Sequence, residues 1–288
     1  MKRLIVTADD FGVALAVNEA VEQGHRRGIL SAASLMVTAP AAADAVTRAR
    51  RLPRLGVGLH LVLVDGRPAL PPETIPDLVD PDGLFPGDVF RAGVKIFCSP
   101  AARRQLENEI RAQLEAFRRT GLALDHVNAH HHFHTHPTVA DTLIRLAPEY
   151  GIKSVRVPYE RPLEAWRATG DRLVPRLAAW VTQAYWSRRL KRRLAAAGIA
   201  SNDCVLGLSD SGAMRTERVK GYVTRLPEGT SELYVHAATS HWPGSDAWPS
   251  HYACAGEFAA LTDSGVAAAL AAQGVVPTSF AGILRAAA

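Results

Sequence analysis

Cysteine is scarce in this sequence, with three residues among 288. Cys98, Cys204 and Cys254 lie far apart and form no Cys-x-x-Cys pair. This spacing suggests neither a disulfide framework nor a thiolate metal site. The small number of cysteines fits a reducing compartment, and we therefore expect a cytoplasmic protein.

Long hydrophobic runs are also lacking. The first apolar run extends only from Leu4 to Val6, which is shorter than the apolar core of a secretory signal. The longest late uncharged stretch, residues 264–284, is interrupted by glycine, glutamine and proline, which a membrane span tolerates poorly. We therefore expect no transmembrane helix.

Neither sign of charge is in large excess, because 33 basic and 28 acidic residues give a net charge of +5. This excess is too small to indicate nucleic-acid binding, and we expect no nucleic-acid partner, although an anionic surface is compatible with it. Residues 153–193 hold eleven basic and three acidic residues, a net charge of +8, which leaves −3 for the rest of the chain. The 48% hydrophobic content, with glycine and proline spread along the chain, predicts a folded globular protein.

Short apolar strands alternate with helical segments, and most strands end in polar residues. This order predicts a parallel α/β fold, and its repetition favours closure into a barrel. We expect residues 1–288 to form one domain, a distorted TIM-barrel-like parallel β/α barrel, with seven strands as one option and a basic helical insertion at about 160–200 outside the core barrel. A proline-rich loop segment, 65–100, is expected to lie over a site. Strands are predicted at 3–8, 34–37, 56–61, 126–128, 154–157 and 233–236, and helices at 18–27, 41–51, 101–120 and 138–150.

Histidine is concentrated in one short segment, since six of the eleven histidines lie in residues 126–136. Imidazole is a common ligand of transition metals, and a turn after a strand can direct one or two rings toward a common point. The alternative is a solvated histidine-rich loop that captures adventitious metal. The histidines alone do not decide between these interpretations.

Two adjacent carboxylates, Asp9 and Asp10, end the first predicted strand. Buried carboxylates are costly unless they are paired, hydrogen-bonded or bound to a cation, although an aspartate here could also cap the next helix. His60 lies in another apolar strand, where a histidine bonded within the core is the alternative. Together, Asp10, His60 and one histidine of the cluster supply one carboxylate and two imidazoles, the general form of a catalytic hydrolytic metal site.

Two further polar residues end predicted strands. Arg156 could pair with Asp9 and keep it ionised, and the alternative is an ordinary surface arginine. His236 is a candidate general acid, and the alternative is a core histidine. Both residues fit the same carboxyl edge of a parallel sheet.

Three motifs resemble those of the YdjC-like family, also described as chitooligosaccharide deacetylase-like: Thr7-Ala8-Asp9-Asp10-Phe11-Gly12, Gly58-Leu59-His60-Leu61 and residues 126–134. The resemblance implies a barrel-like α/β fold and the removal of acetyl groups from N-acetylated amino sugars with one divalent metal ion, Zn²⁺ or Mg²⁺. It implies Asp10, His60 and His130 as metal ligands and Asp9 as general base. Arg156 matches an arginine that orients the base in the wider polysaccharide deacetylases. His236 is followed by Ala237, where many relatives carry proline.

The basic segment also resembles a narrower branch of the family. Its tryptophans, with Tyr185, are similar to the branch associated with hopanoid biosynthesis, which implies an N-acetylglucosaminyl hopanoid lipid as substrate. Leu177, Trp180, Val181 and Ala184 are expected on one helix face, followed by the basic cluster Arg188 to Arg193. Residues 160–193 are therefore a candidate contact with an anionic membrane, at the inner face of the membrane, and the alternative is a solvated helix that covers the barrel.

Other classes of function use the same residues. A metal-dependent phosphoesterase could employ these ligands, but it would need more cationic groups or a second metal around the phosphate. A non-enzymatic metal-binding protein would need the histidine cluster but gives no reason for Asp9, Arg156 and His236. A homodimer is left open.

Overall fold

Within residues 1–287, which the computed structural model describes, six parallel strands form one curled sheet in the order β4-β3-β2-β1-β6-β5. The strands are buried along almost their whole length, as expected for a parallel sheet covered by helices. Their bounds are Lys2–Phe11 (β1), Ala32–Leu35 (β2), Gly56–Leu61 (β3), Val127–Ala129 (β4), Cys204–Leu206 (β5) and Gly229–Val235 (β6).

Helices connect the strands and cover the outside of the sheet. The ends of several helices are determined by capping residues. The longest of the early helices begins at Pro100, after Ser99, whose side chain accepts a hydrogen bond from the Ala102 N–H. Gly151, with φ 66°, ends another helix. The bounds are Leu15–Arg27 (α1), Ala42–Ala49 (α2), Val89–Cys98 (α3), Pro100–Arg119 (α4), Pro137–Tyr150 (α5), Pro162–Thr169 (α6), Leu173–Ala196 (α7), Thr216–Thr224 (α8), Cys254–Thr262 (α9), Ser264–Ala272 (α10) and Phe280–Ala287 (α11).

The predicted parallel α/β class is confirmed, but seven strands and a full TIM barrel are wrong. The predicted strand at 154–157 forms only isolated bridges, from Ser154 to Ala200 and from Val155 to β4. Beyond them, the Asn202 side chain takes the place of a neighbouring strand, since it accepts from the Val157 N–H at 2.7 Å and donates to the Val157 carbonyl at 2.8 Å. Pro158 then removes the next backbone donor. The described sheet is therefore a half-barrel of six strands, which includes β5, a strand that the sequence pattern did not predict.

The basic insertion consists of α6 and α7. Helix α7 packs inward through Ala184, Leu190 and Leu194, which are buried. The four apolar residues predicted to share a face do lie on one side of this helix, but Ala184 is 6% exposed whereas Val181 is 69% exposed, so only one edge of that face is buried. Among the described residues, no helix combines the length and the apolar character that crossing a membrane requires.

The proline-rich segment is fixed over the carboxyl edge of the sheet by one buried side chain. The Glu109 carboxylate on α4 accepts hydrogen bonds from the Ala69 and Leu70 N–H groups at 2.7 and 3.0 Å. Glu109 is itself fully buried, and burial raises its pKa. This anchor places the loop beside the ends of β3 and β4, where the candidate site lies.

Candidate active site

A break in the strand pairing directs the two adjacent carboxylates of β1. The register between β1 and β2 shifts between Ala8 and Phe11, and Asp10 adopts φ 60°, a left-handed conformation that aspartate tolerates better than most residues. Asp9 and Asp10 are each only 2% exposed. The local distortion lets neighbouring side chains serve two different sets of partners at the end of one strand.

Asp10 lies between two imidazoles from different strand ends. Its Oδ1 atom is 3.2 Å from His60 Nε2 and 3.3 Å from His130 Nδ1. The donor atoms of the three side chains all lie within 4.8 Å of one another. One carboxylate and two imidazoles in this arrangement suit a borderline divalent cation such as Zn²⁺.

The hydrogen bonds around His60 show why a cation fits these residues. His60 Nδ1 lies 2.7 Å from Asn128 Oδ1, and because that oxygen can only accept, Nδ1 carries the proton. The lone pair of Nε2 then faces Asp10 Oδ1, a buried oxygen that lacks a hydrogen-bond donor in the described residues. Two acceptors at this distance repel each other, and a cation between them removes the repulsion.

Asp9, unlike Asp10, is surrounded by hydrogen-bond donors. Its carboxylate accepts from both terminal nitrogens of Arg156, at 2.5 and 3.0 Å, and from Asn128 Nδ2 at 3.1 Å. Burial raises the pKa of Asp9, but the Arg156 charge, together with His60, outweighs this effect and leaves the pKa well below its ordinary value. Asp9 is therefore an ionised carboxylate with a fixed orientation.

Arg156 is fully buried and is not the surface arginine of the alternative interpretation. It also donates to Glu232 Oε1 at 2.7 Å, and its guanidinium lies 5.1 Å from the centre of the Tyr234 ring. Glu232 in turn accepts from the Thr7 hydroxyl at 2.7 Å. Asp9, Arg156 and Glu232 thus form one buried network across β1 and β6.

The histidine cluster divides into different environments. Residues His130–Thr135 form a 3-10 turn in which His131 and His132 have positive φ, and His130 reaches Asp10. His126 bonds to Asp125 and Ser34, and His134 Nε2 donates to the Arg156 carbonyl at 2.9 Å. His131 instead pairs with the exposed Asp65 at 3.1 Å. The cluster is thus neither a plain solvated loop nor a set of equivalent ligands.

His236 directly follows β6 and lies beside the second oxygen of Asp10. Its Nε2 atom is 3.9 Å from Asp10 Oδ2, and its backbone N–H donates to Glu257 Oε2 at 2.5 Å. The second oxygen of Glu257 accepts from the Met214 N–H at 2.9 Å. Glu257 on α9 is fully buried and fixes the backbone that presents His236.

Three polar residues of this centre were not predicted as functional candidates from the sequence. Asn128 stands inside the histidine motif, so its position was a usable signal. Glu232 was detectable as a single charge inside the apolar strand β6. Glu257 lies on a helix distant in sequence from every motif, and only the fold brings it to His236.

The fold and the site define a class of protein: a parallel α/β domain with a candidate metal centre at the carboxyl edge of its sheet, where such folds place ligands. The chain matches the YdjC-like protein family over residues 3–272 and belongs to that family.

Named relatives agree with this assignment. A carbohydrate deacetylase of Brevibacillus brevis is 41% identical over 157 residues, which cover 54% of this chain and 60% of that protein, less than two thirds of its length. A carbohydrate deacetylase of Mus musculus is 31% identical over 271 residues, covering 88% of this chain and 85% of the mouse protein.

A solved structure shares the fold. It belongs to a protein of Enterococcus faecalis V583 whose name proposes cellobiose-phosphate cleavage, and it superposes with a TM-score of 0.77 over 98% of both chains at 23% sequence identity. At this identity the likeness shows the fold alone.

Proposed function

We propose that this protein is a metal-dependent hydrolase that removes the acetyl group from an N-acetylated amino sugar. The observation that carries the proposal is the convergence of His60 and His130 on Asp10, beside an Asp9 carboxylate that Arg156 keeps ionised. Family membership and the names of the relatives support the same activity.

Asp10, His60 and His130 would hold one divalent cation, Zn²⁺ or Mg²⁺. Such a cation supplies Lewis-acid chemistry: it polarises the acetamide carbonyl and makes a water molecule more acidic. The protein's own contribution is orientation, because Asn128 fixes the ring of His60 and Asp10 is held in a buried, distorted strand end.

Asp9 is assigned the role of general base. Its two oxygens are oriented by Arg156 and Asn128, and its ionised state leaves it ready to accept the proton of the attacking water. Arg156 stabilises the carboxylate before the reaction and Glu232 shares the guanidinium charge. Asn128 forms hydrogen bonds to both Asp9 and His60, so it fixes the position of the base relative to one proposed ligand.

His236 is assigned the role of general acid for the departing amine. Its Nε2 atom lies 3.9 Å from Oδ2 of Asp10, whereas the two proposed ligands approach Oδ1. Glu257 holds its backbone. A base and an acid on two sides of the reacting group are what amide hydrolysis requires, because the amine leaves only when protonated.

The substrate is proposed to be a glycolipid such as an N-acetylglucosaminyl hopanoid. Helix α7 exposes Val174, Val181 and Tyr185 at 76%, 69% and 59%, and Arg188 and Arg192 follow on exposed positions. Apolar residues beside cations fit the boundary of an anionic membrane. We infer that residues 160–193 contact such a membrane from the cytoplasmic side. Flotation with anionic vesicles tests this step, and protein that stays unbound at low salt contradicts it.

The activity is tested by mass spectrometry for the loss of acetyl from N-acetylglucosaminyl lipid and from soluble chitooligosaccharide, side by side. Activity should vanish with chelator and return with Zn²⁺ or Mg²⁺, and Asp10→Ala should remain inactive after metal is restored. Release of phosphate from phosphate esters without release of acetate would favour the phosphoesterase alternative. Equal inactivity of metal-free and metal-loaded protein on every acetamide would contradict the proposal.

A further inference from the structure

An aromatic pocket borders the candidate site beyond His236. The connection from β6 to α9 encloses a cavity of about 470 Å³, lined among others by His241, Trp242, Asp246, Trp248, Ser250 and Tyr252. The rings of Trp248 and Tyr252 lie 5.9 and 5.1 Å from the ring of His236. Two aromatic walls of the pocket therefore lie against the ring of the assigned proton donor, although no sequence motif marked them.

The walls of this pocket are held in place before any ligand arrives. Trp242 is buried against Ala14 and Val17, and its ring lies 5.0 Å from the ring of Trp248 at a steep angle. At the two ends of the connection, Thr239 N–H donates to the Ala16 carbonyl at 3.1 Å and Ala253 N–H to the Gly212 carbonyl at 2.7 Å. The pocket wall is thus tied to α1 and to the segment before α8.

The side chain of Tyr252 is held by a hydrogen bond and by close packing against Gly212. Its hydroxyl is 2.8 Å from the Ser211 hydroxyl, and its ring occupies the space that a side chain at position 212 would fill, since a Cβ atom there would be 2.1 Å from the ring. Gly212 also has φ 76°, which favours glycine. The sequence at 211–212 therefore positions this ring.

Aromatic walls with a polar rim match the shape of a sugar. A pyranose ring presents C–H bonds on its faces and hydroxyl groups around its edge, so flat aromatic surfaces bind the faces and polar side chains bind the edge. Trp248 and Tyr252 are half-buried and keep part of their surface free, while His241, Asp246 and Ser250 are exposed polar groups around them. A pocket for a purely apolar group would not need this rim.

We propose that the Trp248 and Tyr252 pocket binds a sugar ring of the substrate and places its acetamido group, or that of the adjoining residue, beside Asp10 and His236. This inference rests on the proposed function for the identity of the reacting group. The pocket itself is a carbohydrate subsite whether or not acetyl is removed.

The test measures sugar binding separately from turnover. Binding of N,N′-diacetylchitobiose to metal-free protein is followed by calorimetry for wild type, Trp248→Ala and Trp248→Phe, with Tyr150→Ala at the end of α5 as the matched aromatic control. We expect Trp248→Ala to weaken binding about 3- to 10-fold, in line with the loss of one aromatic contact. Trp248→Phe should recover most of the affinity, and Tyr150→Ala should bind as wild type does.

Turnover by the metal-loaded enzyme provides the second measurement. Trp248→Ala should raise KM for the chitooligosaccharide by the same factor with kcat within about twofold, and Trp248→Phe should restore KM. Binding that depends on Trp248 without any release of acetate would support the pocket and contradict the proposed function. Release of acetate with unchanged binding and KM in Trp248→Ala would overturn the pocket and leave the function standing.

Discussion

His60 and Asn128 are joined by a hydrogen bond of 2.7 Å in which the ring nitrogen Nδ1 donates to the amide oxygen. This bond fixes the tautomer of His60 and directs its other nitrogen toward Asp10. The same amide group donates to Asp9 at 3.1 Å and to the Ser34 hydroxyl at 2.9 Å. One neutral side chain therefore determines the geometry of both the candidate ligand and the candidate base.

Replacing Asn128 with alanine should lower the affinity for a divalent cation about 10- to 100-fold, because the tautomer and ring orientation of His60 are no longer fixed. Zinc binding measured by competition with a chelator checks this. His131→Ala is the control, since that ring pairs with the exposed Asp65 and should lose little affinity. A His131→Ala protein that loses the metal completely would show that the wrong ring of the cluster is assigned as ligand.

Asp9→Asn should retain the cation and lower kcat about 10²- to 10⁴-fold, because an amide cannot accept the proton of the attacking water. Asp10→Ala should lose both the cation and turnover. Metal content by mass spectrometry, measured beside the rate of acetate release, separates the two effects. An Asp9→Asn enzyme with unchanged kcat would remove Asp9 from the mechanism.

Replacing His236 with asparagine should impair amide hydrolysis much more than hydrolysis of an activated acetate ester. The amine must be protonated as it leaves, whereas 4-nitrophenolate leaves without a proton. We expect a loss of about 10²-fold or more on the acetamide and a markedly smaller loss on 4-nitrophenyl acetate. Equal losses on both substrates, with metal content unchanged, would contradict the role of proton donor.

The folding stability should fall below neutral pH partly because of His134. Burial, reinforced by the Arg156 charge, lowers the pKa of His134 to about 3 in the folded protein, against 6.5 for an ordinary histidine. The unfolded chain therefore binds a proton that the folded chain excludes, and this contribution to stability is complete above pH 6.5 and is lost as the pH falls toward 3. At pH 5 the loss amounts to about 2 kcal/mol.

Urea unfolding of metal-free wild type and His134→Gln at pH 7 and pH 5 measures this contribution. Glutamine can donate to the Arg156 carbonyl but does not titrate, so the difference in unfolding free energy between the two pH values should shrink by about 2 kcal/mol. An unchanged difference would show that the proton uptake resides elsewhere.

The strand ends were predictable because parallel strands deliver polar residues to one edge, and β1, β3 and the histidine turn carried clear patterns. The absence of regular pairing at 154–157, where a strand was predicted, was not predictable, because the Asn202 side chain, distant in sequence, pairs with Val157 in place of a strand. β5 comprises only three residues after a long helical insertion, and so short an apolar run is a weak signal.

The detailed geometry of the site was harder to predict from the sequence. Alternation along a strand predicts that Asp9 and Asp10 point apart, but the left-handed conformation of Asp10 arises from the break in pairing with β2. Which edge of the apolar face of α7 is buried depends on the side of the helix that the sheet occupies. Glu257 meets His236 only because α9 packs next to the end of β6.

The burial of Arg156 with its carboxylates has a consequence for electroneutrality. Asp9, Asp10 and Glu232 carry three formal negative charges in the interior, and Arg156 carries one positive charge, which leaves a formal charge of −2. A dication cancels this imbalance and a monovalent ion does not. Chelation should therefore lower the melting temperature of the protein. Without the cation, the buried carboxylates repel one another in a medium of low polarity, and this repulsion destabilises the folded state.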